Sequence, residues 1–164
     1  MPIPPQELAK LVKQHWAPLI VLARRRETGP SFADDIVQQA FVRLASESPV
    51  PENPAGWLYT VTRNLAINHQ VSESRRAARH RTVARHEAST SKISLNIEVD
   101  ELLQRLDKLP DPMREIVVAR IWGGFNFDEI GTLVGVSKSS AWRSYNLAIT
   151  KLQELYGLKD EVVS

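Results

Sequence analysis

The chain is expected to be all-α, with two small helical domains joined by a flexible linker, the C-terminal one a helix-turn-helix. Three observations predict this. Apolar residues recur at helical spacing throughout, and no alternating strand pattern is sustained anywhere. The helical period fails from about Thr82 to Asn96, where Ser89-Thr-Ser-Lys92 is small and polar, and it returns at Val99. Near the C-terminus, Gly135-Val136-Ser137 forms a tight junction between a short amphipathic segment and a longer one. The expected division is residues 1–81, a linker at 82–97, and residues 98–164.

The first helix carries the stripe Leu8, Leu11, Val12, Trp16, Leu19 and Leu22, and Gly29-Pro30 closes it. Pro18 lies inside it and should kink or restart it, because its ring clashes with the preceding turn. Ser31 reads as the N-cap of a second helix, with Asp34 and Asp35 in its first turn. Its stripe is Phe32, Ile36, Val37, Ala40, Phe41 and Leu44. After a Pro-rich loop, Asn53-Pro54 supplies a cap and a preset first turn. The third helix then runs through Trp57, Leu58, Val61, Leu65 and Asn68 into an arginine block.

Beyond the linker, Val99, Leu102, Leu103 and Leu106 restore the period, Leu109-Pro-Asp-Pro112 breaks it, and Ile116 and Val117 resume it. Gly123-Gly124 is a turn. Asn126 and Glu129 have the spacing of a capping box, and Phe127, Ile130 and Val134 should be buried behind it. Gly135 suits a left-handed turn and Ser137 a new N-cap. The final helix keeps Ala141, Tyr145, Ala148, Leu152 and Leu155 on one face. Lys138, Ser139, Trp142, Arg143 and Asn146 are left on the outer face near its start. A recognition helix reads DNA from that end.

Charge is uneven. The 21 basic and 19 acidic residues give a net charge of +2. Residues 63–86 alone hold six Arg against one Glu, together with three of the four His. Clustered Arg gains affinity by releasing counterions from phosphates, although a solvated helix end would show the same run. The absence of Cys excludes a disulfide framework, a thiolate nucleophile and thiolate-ligated metals. His69, His80 and His86 lack metal-ligand spacing and read as DNA-proximal or exposed imidazoles. Gly131-x-x-x-Gly135 matches a membrane-dimer pattern in an amphipathic segment, an empty hit. No catalytic constellation, cofactor site or metal site is expected. The longest apolar run, Trp16 to Ala23, is too short to span a bilayer, and Met1-Pro-Ile-Pro-Pro does not resemble a signal peptide. A cytoplasmic protein without membrane insertion is expected.

Three stretches resemble the extracytoplasmic-function group of RNA polymerase sigma factors, in the sigma-70 family. FADDIVQQAFVRLA, from Phe32, is similar to the core-binding helix of that family, and NPAGWLYTVTRNLAINH, from Asn53, to its helix for melting and reading the −10 element. Leu109 to Gly157 resembles its −35-reading domain. Gln38-Gln39 stands where the family tends to have Gln-Glu, and Trp142-Arg143-Ser144 where it tends to have Lys-Ser-Arg.

The resemblance implies a non-enzymatic factor that binds core RNA polymerase and directs promoter-specific initiation. Asp35, Gln38, Gln39 and Arg43 would face the polymerase. Trp57, Arg63, Asn64, Asn68, Arg75, Arg76 and Arg79 would face the −10 element, with Arg63, Asn64 and Asn68 along one helix side. Trp57 could equally be a core residue. Lys138, Ser139, Trp142, Arg143 and Asn146 would face the −35 element. Core RNA polymerase and promoter DNA are the implied partners, and an anti-sigma factor is left open. The alternative is a stand-alone helix-turn-helix regulator, which leaves the N-terminal pattern unexplained.

Overall fold

A computed structural model describes residues 1–24, 32–80 and 97–156. They form seven helices, with no strand among the described residues. The chain divides into two compact units, Met1–Asn96 and Ile97–Ser164. The stretch read as a linker from Thr82 to Asn96 lies outside the described residues, as do Gly29-Pro30 and the Ser31 cap.

The first unit contains α1 (Pro5–Ala23), α2 (Ala33–Ser46) and α3 (Pro54–His80), each packed on the other two. Helix α1 does not restart at Pro18. Every residue from Ala17 to Ala23 is buried, and this packing offsets the hydrogen bond that proline removes. Helix α2 begins after Phe32, whose backbone is itself helical and whose side chain makes no cap. At α3 the expected start is present: the Gly56 amide donates to Oδ1 of Asn53 at 3.1 Å, with Pro54 opening the helix.

The buried stripe of α3 differs from the expected one. Leu58, Tyr59, Thr62 and Ala66 are inside, while Trp57, Val61 and Leu65 are only half-buried and Asn68 is exposed. Both registers have helical spacing, so the apolar letters alone favoured the wrong one. Tyr59 settles the register: its ring is fully buried and its hydroxyl pairs with Nδ1 of His15 at 3.0 Å. On the other side of the core, Trp16 stacks on Phe41 with centroids 6.2 Å apart.

The second unit contains α4 (Ile97–Leu106), α5 (Asp111–Ile121), α6 (Phe127–Val134) and α7 (Lys138–Tyr156). Leu106, Leu109, Val117, Val118, Ile130, Ala141 and Ala148 build its core. At the α4–α5 junction the buried Arg114 pairs with Asp111 at 2.7 Å and donates to the Leu109 carbonyl. Helices α5, α6 and α7 pack on one another. Three expected core positions are corrected here: Leu155 is exposed, and Phe127 and Val134 are half-buried beside a fully buried Ile130, while Ile149, not expected in the core, is buried.

Candidate functional site

Helix α6 starts with the reciprocal bonds its sequence forecasts. Asn126 Oδ1 accepts from the Glu129 amide, and Glu129 Oε1 accepts from the Asn126 amide, both at 2.8 Å. The helix ends at Gly135, whose φ of 81° is the left-handed conformation glycine adopts without strain. The amides of Gly135 and Val136 both donate to the Gly131 carbonyl. Ser137 then caps α7 by accepting from the Ser140 amide at 3.0 Å.

Gly131 has a different role from the membrane pattern it mimics. A Cβ placed there would lie 2.5 Å from the Val136 carbonyl oxygen, so the turn folds back onto a position open only to glycine. Behind the turn, Phe127 meets Tyr145 edge-on at 5.5 Å, and the Arg120 guanidinium sits 4.5 Å above the Phe127 ring. Burial pushes the Tyr145 phenol above its ordinary range, and the charge of Arg120 pulls against that rise. These contacts fix α6 against α7 and leave the outer face of α7 open. Lys138, Ser139, Trp142, Arg143 and Asn146 are all exposed on its first three turns, joined by Leu147 and Thr150.

On α2 the expected polar face is also exposed: Asp35, Gln38, Gln39 and Arg43 all reach solvent. Val42, which no sequence motif marks out, lies among them and is 59% exposed. Its position seven residues after Asp35 and four after Gln38 could have placed it on that face. An apolar spot within a polar rim is the composition of a docking surface.

On α3 the open face is narrower than expected. Counting about 100° per residue, Trp57, Val61, Asn64, Asn68, Val71 and Arg75 fall within an arc of roughly 80°. Asn64, Asn68, Val71 and Arg75 are exposed there, while Trp57 and Val61 are half-buried. Arg63 is not on this side. It lies roughly 120° from the middle of the arc and is half-buried, with an interaction of its own. Arg76 and Arg79 continue the same helix, and their side chains lie outside the described residues. His69, expected near DNA or in solvent, is half-buried with its ring 4.1 Å from that of Phe32. His80 and His86 lie outside the described side chains. No group of three metal-ligating side chains occurs among the described residues, and no described helix is long and apolar enough to cross a membrane.

Residues 11–76, which hold the α2 and α3 faces, match the sigma-70 region 2 family. The ECF RNA polymerase sigma factor EcfG of Rhodopseudomonas palustris is 30% identical over 75% of this chain and 70% of its own. The RNA polymerase sigma factor CarQ of Myxococcus xanthus is 30% identical over 83% and 80%. The chain belongs to the ECF sigma factors.

Another relative in this group is the Mycobacterium tuberculosis protein named probable ECF RNA polymerase sigma factor SigI, 30% identical over 87% of this chain. The chain spans about half of that relative's length, 53%. The fold is that of a solved sigma factor, RpoE of Bartonella quintana, crystallised with the anti-sigma factor NepR. The TM-score is 0.62 at 20% identity, covering 94% of this chain and 96% of that one. Among the described residues, exposed polar faces of this ECF sigma factor occur on α2, α3 and α7, with α3 and α7 starting from the Asn53 and Ser137 caps.

Proposed function

We propose that the chain is an alternative sigma factor, which binds core RNA polymerase and directs it to promoters without catalysing a reaction itself, in the cytoplasm. The observation that carries this reading is the occurrence, in one chain, of a polar docking face beside a DNA-suited face, with an open recognition helix in the other unit. Residues 1–81 would bind polymerase and the −10 element, 82–97 would tether, and 98–164 would bind the −35 element.

On this reading Asp35, Gln38, Gln39, Val42 and Arg43 meet the polymerase. Trp57, Asn64 and Asn68 contact an unstacked −10 strand, where stacking must offset a few kcal/mol of unstacking. Arg75, with Arg76 and Arg79, holds phosphates, which set position and carry no sequence. Arg63 would support α3 from the unit's interior side. Lys138, Ser139, Trp142, Arg143 and Asn146 meet the −35 element. Tethering lets each DNA contact be individually weak, because the second binds at the effective concentration set by the first.

The test is transcription with purified core polymerase over a promoter library. Transcripts with shared sequence elements upstream of their starts, found only when the chain is added, support the reading. Tight duplex binding without polymerase and no such transcripts would favour a stand-alone regulator.

A further inference from the structure

The polar residues of the recognition helix differ in how free they are. The Arg143 guanidinium donates through Nη2 to Oγ of Ser140 at 3.2 Å, which draws it towards one flank of α7. The Asn146 amide turns back on its own helix and donates through Nδ2 to the Trp142 carbonyl at 2.9 Å. The Trp142 indole is 56% exposed and makes no hydrogen bond or ring contact among the described residues. A tryptophan that filled a core would not stand out from the second turn of a helix in this way.

Its placement is equally specific. About 100° per residue puts Trp142 between Lys138, roughly 40° to one side, and Arg143, roughly 100° to the other. Long cations on the flanks of a helix lying in the major groove reach the phosphates along the groove walls. The side chains between them, Ser139, Trp142 and Asn146, face the base edges, and of these Trp142 is the largest. An indole offers little hydrogen-bonding capacity to those edges, only one N–H donor. What a major groove presents to an apolar ring is the thymine 5-methyl group.

We infer that Trp142 is a specificity-determining residue that selects a thymine in the upstream promoter element by apolar contact with its 5-methyl group, with Lys138 and Arg143 on the flanking phosphates. This deepens the proposed function and rests on it. Recognition at that base pair is then by shape and desolvation, and the guanidinium of Arg143 contributes affinity without sequence.

The test uses the full chain reconstituted with core polymerase, on a promoter it transcribes. Thymines of the upstream element, on either strand, are replaced one at a time by deoxyuridine, which removes only the methyl. At one position the wild-type holoenzyme should bind about fourfold more weakly, the equivalent of one buried methyl lost. Trp142→Ala should bind the thymine and deoxyuridine templates equally, and Trp142→Leu, which keeps apolar bulk, should retain part of the preference. Arg143→Ala should weaken both templates alike and keep their ratio. A ratio of one at every thymine with wild type, or a preference that survives Trp142→Ala, would overturn the inference while leaving the sigma function standing. A holoenzyme that initiated at no specific promoter would instead overturn the proposed function, and this inference with it.

Discussion

The Tyr59 hydroxyl lies 3.0 Å from Nδ1 of His15, with the two rings edge-on at 5.5 Å, so α1 and α3 share a part-buried polar contact. Burial lowers the His15 pKa from its ordinary 6.5 and raises that of Tyr59 above 10. A histidine depressed in the folded state leaves the unfolded chain binding more protons, so its contribution is lost as pH falls below about 6.5. A tyrosine raised in the folded state keeps its contribution below about pH 10 and loses it above. Thermal unfolding across pH should therefore show highest stability between these limits. Tyr59→Phe should flatten the alkaline fall, and an unchanged alkaline slope in that variant would contradict the assignment.

Gly131→Ala should destabilise the second unit although alanine is the better helix former by about 1 kcal/mol. The added Cβ would sit 2.5 Å from the Val136 carbonyl oxygen, and a backbone atom cannot step aside cheaply. A cost of about 1–3 kcal/mol is expected, as for overpacked cores, with weaker upstream-element binding. Chemical denaturation of the variant checks this. A gain in stability would mean that the turn relaxes freely.

Thr62→Val should leave stability unchanged or raise it. Thr62 is fully buried and its Oγ1 has no hydrogen-bond partner among the described residues. An unpaired buried hydroxyl carries a desolvation cost of about 1–3 kcal/mol, and valine fills nearly the same volume without it. Melting temperatures of the two proteins decide the matter. A clear fall for Thr62→Val would show that the hydroxyl is bonded.

Val42→Asp should weaken polymerase association without loss of helix content, since Val42 is exposed amid Asp35, Gln38, Gln39 and Arg43. A moderate loss, roughly tenfold or about 1.4 kcal/mol, is expected if that spot is the apolar centre of the contact. Pull-down against core polymerase with equal recovery of both proteins would remove α2 from the interface.

Much of this was legible in the sequence, for identifiable reasons. Asn126, Glu129, Gly135 and Ser137 act through bonds between near neighbours, so their spacing alone specified the turn. The α2 stripe was equally readable, since Ile36, Val37, Ala40, Phe41 and Leu44 are all buried. Helix α3 was not. Its core side is decided by the burial of Tyr59 and Thr62, which are polar by letter, while the more apolar Trp57 and Val61 stand at the rim. Arg63 departs from the Asn64 side by helix geometry itself, since adjacent residues lie about 100° apart. Likewise, local propensity disfavours Pro18 inside α1, which burial of Ala17–Ala23 overrides.

The most direct test of the account is the dependence of initiation on spacer length. Two DNA-reading units positioned by one polymerase require their elements on a fixed helical phase. Run-off transcription with core polymerase and the full chain should fall to background when about 5 bp, half a helical turn, are inserted between the upstream and downstream elements. Restoring the original spacing should restore the transcript. Undiminished initiation from the half-turn template would contradict the account, because it would show that only one unit reads the promoter.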